Sequence, residues 1–180
     1  MKLFKKLAAA ALAAVLALSM VGCGKANSVN STKQLVLNLI ADSAAMGGGE
    51  YNNTAAMDGI AQNLLNKAAE LYGSADQKDK SARALLEAAS TEKDMGFEDG
   101  NKYLVACAED RQYNSSMFSN ADKQGIFFMN LMQNSFPVNA PQGSTFSTQK
   151  ADVGVAVGKI GNKTYAVVVM MSTATTPDKS

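Results

Sequence analysis

Few side chains in this sequence have the chemistry of a catalytic or covalently modified residue. The 180 residues contain two cysteines, Cys23 and Cys107, and no histidine. Without histidine the chain has no Ser-His-Asp or Cys-His nucleophile pair and no His-dependent zinc site. The two thiols, the carboxylates and the methionines are therefore the remaining candidates for chemistry.

Cys23 directly follows a segment with the features of an export signal. Three lysines at the start precede an apolar run from Leu7 to Val21, and Gly22 separates this run from the cysteine. The run is shorter than the about 20 apolar residues that a membrane-spanning helix needs. We predict that residues 1–22 are a signal peptide that is removed after Gly22.

The four residues Met20-Val21-Gly22-Cys23 resemble the lipobox of bacterial lipoproteins. The family prefers Leu where this chain has Met20. The resemblance implies diacylglyceryl transfer to the Cys23 thiol, cleavage after Gly22 and acylation of the new amino terminus, typically with palmitate. The alternative is an ordinary secretory signal that ends near Gly22. On the lipobox interpretation the partner is the lipid bilayer, and the protein lies on the extracytoplasmic face of a bacterial cell membrane.

The mature chain lacks the charge of a nucleic-acid-binding protein. Three of the 17 basic residues lie in the signal, so 14 basic side chains remain against 16 acidic ones. Nucleic-acid binders instead cluster basic residues on one face. We therefore predict no nucleic-acid partner. We expect a lipidated flexible tether at 23–33, a single α+β domain at 34–172 and a loose tail at 173–180.

Cys107 lies in the apolar segment Val105 to Ala108 and is expected to be a core residue. A reactive thiol needs a nearby cation or helix N-terminus to lower its pKa, whereas buried free cysteines are common. The methionines are likewise interpreted as core residues on apolar stripes, namely Met57, Met129, Met132, Met170 and Met171.

The carboxylates do not form a recognisable catalytic or metal-binding pattern. Glu109-Asp110-Arg111, together with Glu70 or Glu98, could supply the carboxylate pair of a glycosidase, but a solvated face is the favoured interpretation. The segment Glu98 to Asn101 lacks the alternating oxygen ligands of a calcium loop and is predicted to be a β-turn. We predict no catalytic residue, no cofactor and no metal.

Apolar periodicity predicts four helices. The first begins at Ser31-Thr32 and ends at Gly47 to Gly49. The second covers Thr54 to Tyr72, with a left-handed Gly73 after it. A short third helix contains Leu85 and fades by Thr91. The fourth opens at Asn120 and is apolar on nearly every side between Ile126 and Met132, so we expect it to be covered on both sides.

The C-terminal part carries the strongest β-strand pattern. Segments 152–160 and 163–171 are rich in valine and flank Gly161-Asn162, a two-residue hairpin turn. Consecutive valines in the second segment predict that both of its faces are buried. Another buried strand is expected at 102–108, whereas 134–147 is expected to be an irregular loop. The fold class is thus α+β, with helices packed on a small antiparallel sheet that contains the hairpin.

The chain resembles the bacterial branch of the CAP superfamily in this order of elements. It also resembles that branch in the segment Val153-Gly154-Val155-Ala156 and in Tyr165 followed by aliphatic residues. That resemblance implies an α-β-α sandwich over about residues 35–171. The family's cleft carries two histidines and two acidic residues. Here the corresponding positions read Asn66 or Lys67, and Asn134 to Pro137, so no functional residue is carried over.

Together these patterns favour a membrane-anchored lipoprotein whose domain is a non-catalytic surface interaction or ligand-binding module. The alternative is a degenerate CAP-like or carboxylate-based extracytoplasmic hydrolase. Cys23 as the lipid attachment site and Gly22 as the residue before the cleavage are the only site residues predicted.

Overall fold

The structure, a computed structural model, describes residues 26–74, 79–110, 120–139 and 150–172. By its contacts the chain divides into two units, Met1–Ser31 and Thr32–Ser180. The contacts described below are those of the second unit. The predicted signal peptide with Gly22 and Cys23, the residue Arg111 and the predicted tail at 173–180 lie outside the described residues.

The described residues form four α-helices. They are α1 (Ala26–Gly47), α2 (Ala55–Gly73), α3 (Ala82–Ser90) and α4 (Asn120–Gln133). The side-chain oxygens of Thr54 and Ser81 accept hydrogen bonds from the N–H groups of Met57 and Ala84, which caps the starts of α2 and α3. Such caps satisfy N–H groups that have no partner inside the helix.

Two predicted helix ends differ from the structure. The first helix begins at Ala26 rather than at Ser31-Thr32, so it includes part of the segment expected to be a flexible tether. Extension of an existing helix costs little per residue, even through Asn and Ser. Gly73 is the last residue of α2 and has no positive φ; Ser74 ends the helix through its N–H bond to the carbonyl oxygen of Leu71.

Five strands form one mixed sheet in the order β1-β4-β5-β2-β3. They are β1 (Glu50–Asn53), β2 (Tyr103–Glu109), β3 (Ser135–Val138), β4 (Lys150–Ile160) and β5 (Lys163–Ser172). Strand β1 pairs with β4 in parallel, and the three other pairings are antiparallel. The predicted hairpin is confirmed. Gly161 in its turn has a φ of 64° while Asn162 has no positive φ, as in a type II′ turn.

Helices cover both faces of this sheet. On one face, α2 and α3 pack against Val105, Cys107, Val167 and Val169. On the other face, Val36 of α1 and Phe127 of α4 join a cluster that contains Ala106, Val155 and Val168. Successive residues of β5 thus enter opposite clusters, which confirms that both faces of this strand are buried. The predicted α+β class, with helices on a sheet that contains a C-terminal hairpin, is confirmed. The sheet is mixed rather than antiparallel, because β1, a strand that was not predicted, pairs in parallel with β4.

Two further predictions were wrong. Residues Ser135–Val138 form an edge strand rather than a loop, and Pro137 is tolerated there because an edge strand does not need every N–H group for pairing. Helix α4 is not covered on both sides: Met129 and Met132 are 61% and 55% exposed. Helix α4 carries more apolar side chains than the one sheet face that it contacts can bury.

Helix α2 runs so close to β4 that there is no room for a side chain at Gly154 and Gly158 of the strand. A methyl group at Gly154 would overlap the backbone carbonyl of Met57, and one at Gly158 would lie 2.7 Å from Cδ2 of Leu65. Further along, a Cβ atom at Gly161 would overlap the ring of Tyr72. The contact residues of α2 are seven or eight positions apart, and the glycines are three or four positions apart. Both spacings correspond to roughly 10–13 Å, so the contacts recur at matching distances along the helix and the strand.

The Asp58 carboxylate joins three elements at the start of α2. It accepts hydrogen bonds from Nζ of Lys33 at 2.6 Å, from Nδ2 of Asn53 at 3.0 Å and from the backbone N–H of Val155 at 2.9 Å. These groups belong to α1, β1 and β4. Partial burial opposes ionisation of Asp58, but the bonds from Lys33, Val155 and Asn53 outweigh it and hold its pKa below the ordinary value.

We expect Gly154→Ala to destabilise the protein by about 3 kcal/mol or more, because the added methyl group must push α2 away from β4. The matched control is Gly59→Ala in the same helix, where an added Cβ meets no atom within 4 Å. That change should stabilise the helix by about 0.5–1 kcal/mol. Urea unfolding followed by circular dichroism measures both effects. Equal stabilities of the two variants would contradict the close helix–strand contact.

We expect Asp58→Ala to cost about 1–2 kcal/mol at pH 7, since it removes charge-assisted hydrogen bonds to three elements. The pKa of Asp58 is lower in the folded chain than its unfolded value of about 3.9. Its stabilisation is therefore complete above that value and disappears as the pH falls through the folded-state pKa.

The difference in unfolding free energy between the wild type and Asp58→Ala should accordingly shrink as the pH is lowered from about 5 to about 2. Asp152→Ala is the control, because its carboxylate has only a 3.5 Å contact with Nδ2 of Asn52. A constant difference at every pH would show that the charge of Asp58 does not contribute.

Candidate functional site

A cleft of about 450 Å³ lies where several elements end at the same edge of the fold. The end of α2, the start of α3, the end of β2, the hairpin turn and the end of α4 all contribute. We call it the polar cleft. Its lining side chains include Tyr72, Lys80, Ser81, Arg83, Cys107, Glu109, Asn130, Asn134, Asn162, Lys163 and Tyr165.

The contact between α2 and the hairpin positions one wall of the polar cleft. Tyr72 lies in the last turn of α2, and its ring packs over Gly161. Only glycine fits under this ring, and its positive φ also suits the turn. Tyr165 lines the same cleft from β5. The two tyrosines are both half-buried.

An ion pair between two strands lines the polar cleft. Nζ of Lys163 lies 2.9 Å from Oε2 of Glu109, whose side chain is only 15% exposed. Glu109 is the register partner of Tyr165 on the neighbouring strand. Burial raises the pKa of Tyr165, and the nearby Glu109 carboxylate adds to this rise. The phenol is therefore a neutral hydrogen-bonding group at physiological pH.

Arg83 connects α3 to the end of α4. Its Nε lies 3.0 Å from Oε1 of Glu87, and its Nη1 donates to the carbonyl oxygen of Gln133 at 3.3 Å. A cation at this position also interacts favourably with the C-terminal end of the α4 dipole. Two of the five N–H donors of Arg83 thus serve the fold, so its charge is not directed into the cleft alone.

Cys107 lies at the base of the polar cleft and is a core residue, as predicted. It is 2% exposed and has no disulfide partner. Burial raises the pKa of its thiol to about 12. A thiol with this pKa stays protonated at neutral pH, whereas the nucleophile in cysteine chemistry is the thiolate.

The acidic residues proposed for a carboxylate pair each have their own partner. Glu109 pairs with Lys163, and Asp110 accepts a hydrogen bond from Oγ1 of Thr32 at 3.1 Å. Glu70 lies 3.3 Å from Nζ of Lys67 on α2. Of these carboxylates, only Glu109 lines the polar cleft. Glu98 accepts a hydrogen bond from Nδ2 of Asn101 at 3.0 Å. The predicted solvated face is wrong for Glu109 and Asp110, because Glu109 is only 15% exposed and Asp110 is half-buried.

The segment Glu98 to Asn101 forms the predicted β-turn. The N–H group of Asn101 donates to the carbonyl oxygen of Glu98 at 3.3 Å, and Gly100 has a φ of 85°. This turn borders a second depression of about 1030 Å³, formed by residues 90–99 and β3. Within the described ranges, no three His, Cys, Asp or Glu side chains are grouped so that they could hold a metal ion.

The positions that correspond to the CAP cleft are dispersed or serve packing. Asn66 is exposed on α2 and accepts a hydrogen bond from Gln62, while Lys67 pairs with Glu70. Phe136 is 5% exposed in the core. Asn134 is the one residue of this set that lines the polar cleft.

Sequence reasoning did not identify the polar cleft, because its side chains come from five separated segments. The only signal in the sequence was indirect: two tyrosines stand next to predicted element ends, Tyr72 at the end of a helix and Tyr165 just after the hairpin turn. An aromatic side chain at the end of a helix or strand packs against a neighbouring element, but the sequence does not tell which element that is. No spacing rule relates them to the asparagines of α4.

No family model, curated protein or solved structure matches this chain. None of the helices within the described ranges has the length and apolar character that crossing a membrane requires.

We expect Cys107 to react slowly with iodoacetamide at pH 8 in the folded protein, because its thiol is buried and protonated. In denaturant its labelling should reach the rate of an ordinary cysteine, whose pKa is about 8.5. Mass spectrometry of the peptide that contains Cys107 measures both rates. Equal rates in the folded and denatured chain would contradict its assignment as an inert core residue.

Proposed function

We propose that this chain is a bacterial lipoprotein whose folded domain acts as a non-catalytic binding module on the extracytoplasmic face of the cell membrane. The proposal combines two features. The lipobox-like Met20 to Cys23 supports attachment to the bilayer through acylated Cys23, after cleavage behind Gly22. The polar cleft offers a concave surface of a size that small-molecule sites commonly have.

One observation carries the binding part of the proposal: among the described residues that line the polar cleft, the groups suit hydrogen bonding and none is an activated acid, base or nucleophile. Glu109 is neutralised by Lys163. The thiol of Cys107 has a pKa of about 12. A general base must instead be free to take a proton near neutral pH, and a nucleophile must be activated by such a base. The cleft can hold a ligand without these properties.

A CAP-like or carboxylate-based hydrolase is the second candidate. The helical layers on both faces of the sheet are in keeping with a CAP-like sandwich. The missing histidines remove the metal-binding residues of that family, however. A glycosidase needs two carboxyl groups about 5–10 Å apart across one cleft. Glu109 and Asp79 both line the polar cleft, but Asp79 is exposed and Glu109 is held by its lysine, so we favour binding.

Lipid attachment is tested by changing the proposed acceptor. In cells fed an alkyne analogue of palmitate, the wild-type chain should acquire the label and sediment with membranes. Cys23→Ser should lose both properties, because the hydroxyl cannot form the thioether to diacylglycerol. Two or three acyl chains anchor a protein stably, since each buried CH₂ contributes about 0.8 kcal/mol.

Cys107→Ser is the matched control, because it removes the other cysteine of the chain. This variant should keep the label and the membrane location. Labelling that persists in Cys23→Ser would refute the lipid anchor. Loss of labelling in both variants would show that export or folding, rather than the acceptor thiol, had failed; detection of the exported chain by immunoblot separates these two causes.

A further inference from the structure

We infer that the ligand of the polar cleft is an uncharged saccharide. This inference rests on the proposed binding function and names the chemical class that the cleft would recognise. Three properties of the described lining residues carry it: nearly balanced charge, two tyrosine rings close together, and several neutral amide groups that both donate and accept hydrogen bonds.

The charges of the polar cleft do not favour an anionic ligand. Of the residues that the structure describes here, three cations (Lys80, Arg83 and Lys163) and two carboxylates (Asp79 and Glu109) line the cleft. Lys163 already lies 2.9 Å from Glu109, and Arg83 lies 3.0 Å from Glu87. Phosphate and carboxylate sites instead direct several uncompensated cations or N–H groups at the ligand. A phosphorylated or polyanionic ligand would have to compete with these internal ion pairs.

The two tyrosines supply the apolar contact that a sugar needs. Tyr72 and Tyr165 line the cleft and lie near enough for the charge of one phenol to affect the other. An aromatic ring carries negative charge on its face, which attracts weakly positive C–H groups. One face of a pyranose ring presents a row of such C–H groups. Aromatic rings beside polar groups therefore match a sugar better than they match a wholly polar solute.

The remaining polar groups match the hydroxyls of a sugar. Each hydroxyl both donates and accepts, and so does each amide of Asn130, Asn134 and Asn162. One N–H of the Asn134 amide already donates to the carbonyl oxygen of Asn130 at 2.9 Å, which leaves its other N–H and its oxygen for a ligand. Glu109 can accept from one hydroxyl while Lys163 donates to a neighbouring one, as the oxygen and nitrogen of this pair are adjacent. An ion pair used in this way binds a neutral ligand and keeps its own charges compensated.

The test uses the mature lipidated chain in phosphatidylcholine vesicles. Saturation-transfer NMR measures binding of three probes, cellotetraose, tetra-N-acetylchitotetraose and the peptide tetra-alanine, and isothermal titration calorimetry measures binding of a fourth, inorganic phosphate, which has no C–H protons. At least one of the two sugars should receive saturation from the protein. The peptide should receive little saturation, and phosphate should give no binding heat. A titration of the sugar signal then gives its dissociation constant.

Tyr72→Leu and Tyr165→Leu should each weaken sugar binding about tenfold or more, because each removes one aromatic face. Tyr165→Phe keeps the ring and should bind within about threefold of the wild type. Tyr51→Leu is the matched control: Tyr51 is half-buried on β1, packs against the other core cluster and lies outside the cleft. Circular dichroism verifies that every variant is folded.

The outcomes separate the ligand class from the proposed function. Absence of saturation on both sugars, or binding that survives both leucine variants, overturns the saccharide inference. A tyrosine-dependent signal from tetra-alanine or phosphate also overturns it but leaves a binding function in place. Release of shorter sugars during incubation would instead support the inference on ligand class and overturn the non-catalytic function. Sugar binding that is lost in Tyr72→Leu and kept in Tyr51→Leu supports both.

Discussion

The close contact between α2 and β4 is the constraint on which the rest of this structure depends. The backbone of Met57 lies directly over Gly154, and Asp58 beside it binds the next residue of the strand, Val155. The same carboxylate holds Lys33 of α1 and Asn53 of β1. Gly154 permits the close approach of α2 to β4, and the Asp58 carboxylate forms hydrogen bonds at that contact. This one contact therefore connects both helical layers to the sheet. Because the carboxylate must be ionised to hold Lys33, this connection depends on charge as well as on shape.

That contact also determines the position of the polar cleft at the other end of α2. A helix and a strand that touch at one end and run in the same direction stay in contact if small residues recur in step. Gly158 and Gly161 continue the series, and Tyr72 ends it over the hairpin turn. The cleft therefore opens where the helix stops and the turn begins.

Local patterns predicted much of the fold but little of the cleft. The apolar stripe of α2 and the valines of β4 and β5 specify their elements through residues close in sequence, and these predictions were right. The strand β3 and the exposed methionines of α4 were not predicted, since pairing at an edge and the width of the covered face depend on distant neighbours. For the same reason Cys107 could be assigned to the core from its apolar flanks, whereas the pairing of Glu109 with Lys163 could not be anticipated.

The sequence by itself determined the absence of histidine chemistry, the lipobox-like cysteine, the helical and hairpin segments and the α+β class, because composition and short-range periodicity are properties of the chain alone. Only the tertiary structure decided which face each helix covers, that Asp58 joins three elements and that Tyr72 meets the hairpin beside Glu109. These contacts join residues far apart in sequence. They exist only because the backbones of α2 and β4 come close enough to touch, a distance that no local pattern encodes.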